Sequence, residues 1–366
     1  MPVAYLDWAA TAPVHPPAVE AMAAAARLLG NPASVHGPGR RARALLEDAR
    51  RRIAAFFAVE PDTVVFTSGG TEANQLALHQ APGRVAVSAI EHASILEAVP
   101  DALRLPVTGA GRLDLEATEK LLAEHRPTLV ACQLANNETG AVQPVAEIAR
   151  MARGRGALFL VDAVQSAGKL ACAPEILGAD MVSVSAHKLG GPMGIGALLL
   201  RPGLALRPSQ PGGGQEIGRR AGTPNLPGIA GFAAALDQLG SIDWSAVGRL
   251  RERLERDLAG LAPELLVVAR AAPRLPTIAC LLTPGLPAET QLLALDLEGV
   301  AVGAGSACSS GKLAPSHVLT AMGFSDAEAR SAIRVSLGWS TSDADIDRLV
   351  AAWTELYRRW RQRRAA

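Results

Sequence analysis

Cysteine is too scarce and too scattered to organise this protein. The four cysteines, at positions 132, 172, 280 and 308, form no Cys-x-x-Cys pair, so neither a disulfide framework nor a zinc site is expected. An excess of charge of one sign is also lacking. With 36 Lys and Arg against 35 Asp and Glu, the net charge of +1 argues against a nucleic-acid or membrane-surface protein. No apolar run approaches the roughly 20 residues of a membrane span. The opening residues Met1-Pro2-Val3-Ala4-Tyr5 show no basic-then-apolar leader. These absences point to a cytoplasmic enzyme. Repeats and low-complexity blocks are missing apart from an alanine-rich helical stretch around Ala21 to Ala26 and a basic tail from Arg358 to Arg364. What is there, 366 residues at 49% hydrophobic and 19% charged, suffices for one large domain and a smaller one.

Short apolar runs alternate with helical patterns through the first two thirds of the chain. The runs are Val64-Val-Phe-Thr, Arg84-Val-Ala-Val-Ser, Leu129-Val-Ala-Cys, Leu158-Phe-Leu-Val, Met181-Val-Ser-Val and Ala197-Leu-Leu-Leu. Amphipathic stretches such as Thr71 to His79 and His92 to Leu103 follow them. This alternation predicts an α/β protein with a mostly parallel sheet covered by helices, whose ligands lie at the carboxyl ends of the strands. Beyond a helix at Leu226 to Leu239, strand patterns at Leu265-Leu-Val-Val, Thr277 to Leu282 and Ile333 to Leu337 mix with helices and read as a smaller α+β unit. The expected division is a large domain over 16–240, and a small domain from 1–15 plus 241–366.

The chemistry is sought at the strand ends. Ser185-Ala-His187-Lys188-Leu-Gly-Gly is a polar, glycine-rich turn between two apolar runs. Lys188 there is either a surface turn lysine or a Schiff-base lysine for pyridoxal 5'-phosphate (PLP), with Ser185 and His187 near the phosphate. That cofactor demands a phosphate cradle, an acid for its ring nitrogen, a stacking partner and a cation for the substrate carboxylate. Ser68-Gly69-Gly70-Thr71 between strand and helix offers the cradle, or is an ordinary turn with Thr71 as N-cap. His92 either caps the helix beginning near Ala93 or lays its imidazole over the ring and exchanges protons at the substrate Cα. The cluster Asn136-Asn137-Glu138-Thr139-Gly140 marks a turn, and its amides also suit a cofactor hydroxyl or a carboxylate. Asp162 closes an apolar strand, where a buried carboxylate needs a cation, either structural or the protonated pyridine nitrogen. With the ring paired to Asp162, Gln165, three residues on, would reach the ring's phenolic oxygen. Cys132 and Cys280 sit in strand-like runs and read as core thiols. Cys308, among glycines and serines in Gly303-Ala-Gly305-Ser-Ala-Cys-Ser-Ser-Gly311, has the exposed loop setting of a working thiol. Arg334, on a strand-like run, carries a planar fork suited to a substrate α-carboxylate.

Taken in order, these residues resemble the cysteine desulfurases, NifS/IscS-like class V aminotransferases that depend on PLP. The motifs are Asp7-x-Ala-Ala-Thr, Ser68-Gly-Gly-Thr-Glu-Ala-Asn, Glu91-His, Asn136-Asn-Glu-Thr-Gly, Asp162-Ala-x-Gln, Ser185-Ala-His-Lys and Gly212-Gly-Gly-Gln-Glu-x-Gly-x-Arg-x-Gly-Thr. The segment Ser306-Ala-Cys308-Ser-Ser resembles the group I type. The resemblance implies the type I fold of PLP-dependent transferases, with Lys188 carrying PLP, Asp162 pairing with the ring nitrogen, Gln165 at the ring oxygen and His92 stacked on the ring. It implies that Gly70, Thr71, Ser185 and His187 hold the phosphate, and that Asn137 lies near the ring oxygen and substrate carboxylate. Thr223 would reach the phosphate of a neighbouring subunit, which makes a homodimer with shared active sites.

The implied activity is conversion of L-cysteine to L-alanine. Lys188, assisted by His92, shuttles the Cα proton; Arg334 binds the carboxylate; the Cys308 thiolate takes the sulfur as a persulfide. The sulfur then passes to an acceptor, an iron–sulfur scaffold protein or a tRNA-thiolation relay. No metal site is implied, beyond transient ligation of an iron–sulfur cluster by Cys308. Alternatives are a selenocysteine lyase, a small-amino-acid aminotransferase of the same fold, and a non-enzymatic scaffold subunit. Trp8, Ala12, Ile217 and Pro224 depart from the family's usual residues, which bears on the phosphate loop near the dimer partner and on partner docking.

Overall fold

A computed structural model describes residues 3–305 and 314–365. Its strands are β1 (Ala4–Tyr5), β2 (Val64–Thr67), β3 (Val85–Ser88), β4 (Leu103–Leu105), β5 (Leu129–Gln133), β6 (Leu158–Asp162), β7 (Met181–Ser185), β8 (Gly196–Leu200), β9 (Leu266–Val267), β10 (Ile278–Leu282), β11 (Val300–Ala301), β12 (Gly303–Ala304) and β13 (Ala332–Ser336). Seven form one sheet in the order β2-β8-β7-β6-β5-β3-β4. The neighbours β7, β6, β5, β3 and β4 run parallel, and β8 lies antiparallel to both β2 and β7. Every residue of β5, β7 and β8 is buried, as expected of strands covered on both faces. Alternate residues divide between the two faces. Val130, Cys132, Phe159 and Val161 join one hydrophobic core, and Leu129, Ala131, Leu160 and Met181 the other.

The covering helices are amphipathic. Helix Val145–Arg153 buries Val145, Ile148, Ala149 and Ala152, the three-and-four spacing of a helix laid on a sheet. A second, antiparallel sheet has the order β12-β13-β10-β9, and β1 pairs in parallel with β11. Helices Trp244–Leu261 and Asp343–Ala365 pack on it around the fully buried Trp353. Asp7 extends the N-terminal segment by a bridge to Ser336 of β13.

One local expectation is corrected. The stretch from His92 to Leu103 is helical only over Ala93–Leu96, then turns and enters β4. Pro100 explains the break, because its ring and missing N–H oppose helix continuation. The basic tail from Arg358 to Arg364 is the last part of helix Asp343–Ala365, where Arg359 donates to Glu355 one turn back at 2.8 Å. Among the described residues, no helix is long and apolar enough to cross a membrane.

Candidate active site

The carboxyl ends of β2, β5, β6 and β7 converge on a cavity of about 500 Å³. Gly70, Thr71, His92, Asn137, Asp162, Gln165, Ser185, His187, Lys188 and Arg334 all line it. Thr223 does not; it lies exposed on the segment after Gly212. Cys308 lies outside the described residues, but Ala304 and Gly305 before it and His317 after it line the cavity.

Lys188 follows β7 in a single 3-10 turn, Ala186–Lys188. Its Nζ donates to the carbonyls of Ala9 at 2.6 Å and Ala10 at 2.7 Å. Burial pushes its pKa down to about 8, and the nearby Arg334 charge acts in the same direction. A lysine so tuned has a larger uncharged, nucleophilic fraction near neutral pH than a solvated one. Gln165 also donates to the Ala9 carbonyl, at 2.9 Å, so one backbone oxygen serves two cavity residues.

Asp162, 6% exposed, ends β6. Its Oδ2 accepts from Asn74 Nδ2 at 2.8 Å and its Oδ1 from the Val164 N–H at 2.9 Å. Neither donor is a cation, so the carboxylate is open to pairing with a positively charged ligand atom. Asn74 is in turn fixed by Ser183, which donates to its Oδ1 at 2.6 Å. Sequence reasoning gave Asn74 no role, although it closes the Ser68 to Asn74 motif, four residues after Gly70 and hence on the same helix face.

His92 caps a helix and also lines the cavity. Its Nδ1 accepts from the Ser94 N–H at 3.1 Å as the cap of helix Ala93–Leu96, while the ring lines the cavity. Capping through Nδ1 leaves the proton of the neutral ring on Nε2. Burial lowers its pKa despite the opposing pull of Asp162. The two asparagines divide their labour. Asn136 Oδ1 accepts from the N–H groups of Glu138 and Thr139, both at 2.9 Å, and builds the turn. Asn137 faces the cavity.

The helix Gly70–Leu78 begins at Gly70 with Gly69 as its cap, so Thr71 is not the N-cap. A Cβ on Gly70 would stand 2.8 Å from Val164 Cγ2, so only glycine lets the helix start this close to the end of β6. His187, with Nδ1 3.3 Å from Thr11 Oγ1, is pushed down to about 4 by burial and then by the Lys188 charge, and is neutral at pH 7.

Arg334, 7% exposed on β13, donates from Nη2 to Asp7 Oδ1 at 2.8 Å and from Nη1 to the Asn137 carbonyl at 3.1 Å. Its Nε is buried without a hydrogen-bond partner among the described residues. A Cβ on Gly303 would stand 2.6 Å from Asp7 Oδ1 and 2.9 Å from Arg334 Nη2, so glycine there makes room for the ion pair. Glu138 and Glu91, quoted only as motif members, and His317 carry no individual role in the sequence reading. Ser316 donates to Glu138 Oε2 at 2.5 Å, and His317 Nε2 lies 3.0 Å from the Glu91 carbonyl oxygen.

The set consists of a lysine of lowered pKa, a carboxylate on uncharged donors, an imidazole, a glycine-cradled helix start and a buried guanidinium with its Nε unpartnered among the described residues. It fits a phosphate-bearing pyridine aldehyde and a carboxylate ligand. The chain belongs to the class V aminotransferases: the family profile described as Aminotransferase class-V matches residues 4–349. Within that class it is a member of the NifS/IscS-like cysteine desulfurases. It is 42% identical over 363 residues to a cysteine desulfurase of Cereibacter sphaeroides, covering 94% of this chain and 93% of the relative. It is also 38% identical to cysteine desulfurase IscS 1 of Archaeoglobus fulgidus, over 94% of each. The solved NifS-like protein from Rickettsia africae superposes with a TM-score of 0.90 at 34% identity, over 97% of this chain and 99% of that one. A structure described as SspA in complex with cysteine gives 0.80 at 29% identity, over 92% of this chain and 99% of the other. The enzymes of this family depend on PLP, and PLP is the cofactor of this chain.

Proposed function

We propose that this protein converts L-cysteine to L-alanine and takes up the sulfur as a persulfide on Cys308. The observation that carries the reading is the meeting of Lys188, Asp162, His92 and Arg334 in one cavity, bordered by the residues that flank Cys308 on both sides.

Lys188 would hold PLP, Asp162 would face its ring nitrogen, His92 its ring face and Gln165 its ring oxygen. The start of helix Gly70–Leu78, with Thr71, Ser185 and His187, would hold the phosphate. Bound PLP supplies an electron sink that stabilises negative charge at the substrate Cα. Arg334, with Asn137 beside it, orients the substrate carboxylate through its planar fork. The uncharged Lys188 amine removes the Cα proton, and His92 is placed to hold a proton on Nε2. The Cys308 thiolate attacks the substrate sulfur, so that an S–S bond forms as the C–S bond breaks. The products are L-alanine and a Cys308 persulfide, and no external oxidant is consumed.

The protein acts in the cytoplasm as a homodimer in which Thr223 reaches the partner's phosphate site. It passes sulfur to an acceptor such as an iron–sulfur scaffold protein or a tRNA-thiolation relay. Residues 16–240 form the large cofactor-binding domain, and 1–15 with 241–366 the small one, a division supported by the pairing of β1 with β11.

Mass spectrometry of the protein after treatment with L-cysteine tests this reading. The expected result is one added sulfur atom on the peptide containing Cys308, together with released alanine. Sulfide release that is undiminished in Cys308→Ala would refute the persulfide step.

A further inference from the structure

Helix Trp244–Leu261 and the segment after β9 enclose a recess of about 370 Å³ that shares no lining residue with the catalytic cavity. It is lined almost wholly by charge. Four arginines, Arg251, Arg256, Arg270 and Arg274, stand against two glutamates, Glu252 and Glu255, with Ala272 the remaining lining residue. Four positive charges less two negative leave +2 in the recess, on a chain whose total is +1.

The pairing within the recess is uneven. Arg274 and Glu255 form a two-pronged pair at 2.7 and 2.9 Å, which occupies that carboxylate. Arg251 donates to Glu252 at a long 3.3 Å and to the Leu275 carbonyl at 2.8 Å. It is 8% exposed, and its Nε is buried without a hydrogen-bond partner among the described residues, 3.7 Å from Glu255 Oε1. Burial lowers its pKa and the neighbouring Arg274 charge acts the same way, against the opposing pull of Glu255 and Glu252. Arg256 and Arg270 at the mouth are exposed and form no ion pair among the described residues.

Concave walls focus such a field inward, and guanidinium forks match the oxygens of phosphate-type anions. Ala272 is the one residue without a charged side chain among the described lining residues, which makes the recess a poor fit for a hydrophobic ligand. A flat macromolecular surface would meet Arg256 and Arg270 but not the recessed Arg251, whereas a small anion enters among all three. We propose that Arg251, Arg256 and Arg270 form a second, non-catalytic binding site for a small oxyanion of the diphosphate class, carrying two or more negative charges.

Titration of the holoenzyme with inorganic pyrophosphate by isothermal calorimetry at low ionic strength tests the site. The expected result is saturable binding at one site per chain. Affinity should fall about tenfold or more in the Arg256→Gln, Arg270→Gln double variant, with the cofactor absorbance unchanged. Arg270→Gln alone should fall between the two, and sulfate should compete where chloride at matched ionic strength does not. Both substituted side chains are exposed and unpaired, so the variants retain the fold. Equal affinity in wild type and double variant, or no saturable heat, overturns the proposal. Competition by chloride equal to that by sulfate overturns it too, since it reduces the recess to a screened, diffuse field. None of these readouts depends on the desulfurase reaction, so failure here and failure of the proposed activity are separable.

Discussion

Arg334 is held from two directions, by the Asp7 carboxylate and the Asn137 carbonyl, and each contact limits where its remaining N–H groups can point. Asp7 therefore acts as a positioning residue for the group proposed above to meet the substrate carboxylate. Asp7→Asn keeps an acceptor but removes the charge. It is expected to raise KM for L-cysteine about tenfold with little change in kcat, as steady-state alanine release would show. Glu91 offers a test by pH. It is fully buried, and desolvation pushes its carboxyl up to about 8. Above its ordinary pKa of 4.5 the unfolded chain releases a proton that the folded protein keeps. The stability from this group is therefore complete below that value and is lost as pH rises through about 8. Glu91→Gln carries no such proton. Its melting temperature should fall less than that of the wild type between about pH 5 and pH 9 by scanning calorimetry.

At the scale of elements, the turn Gln215–Gly218 is anchored far from its neighbours in sequence. Glu216, in a left-handed backbone conformation at φ 48°, accepts from Arg50 at 2.7 and 3.0 Å and from the Phe66 N–H of β2 at 2.9 Å. Both side chains are under a tenth exposed. Removing one partner strands the other charge in the interior, so Arg50→Met should cost about 3–5 kcal/mol in urea unfolding. That clamp was not legible in the sequence, where Arg50 reads as one more basic residue of a helix and its partner stands 166 residues away. The long strands were legible because most of their positions are apolar, and the motif residues were legible because they end or follow those strands. β1, β11 and β12, two residues each, carry too little periodicity to detect. Asn74 was hidden for another reason: it contacts Asp162 across the sheet end, a relation no local spacing encodes.

At the scale of the whole molecule, the turn Gln215–Gly218 shares a recess with Asn31, Pro32 and Ala33, a segment bracketed in sequence by Leu29 and Val35. Ile217 is 66% exposed, and Val35 and Leu29 are 85% and 77% exposed. Exposed apolar side chains of this size suit an area covered by a second copy. Sedimentation equilibrium should return twice the chain mass of 37.9 kDa, and a species at the single-chain mass would rule out shared active sites.

The bond from the Ala9 N–H to Ser336 and the Asp7–Arg334 pair each span 327 residues. On the ribosome, at roughly 5–20 residues per second, the first of these partners waits tens of seconds for the second. A nascent chain stopped before β13 already contains Lys188, Asp162 and His92, yet lacks the arginine and the strand that fasten the opening segment. On the function proposed above, catalytic competence therefore waits until β13 has been made, and until then the segment around Asp7 and Ala9 lacks the strand it bonds to.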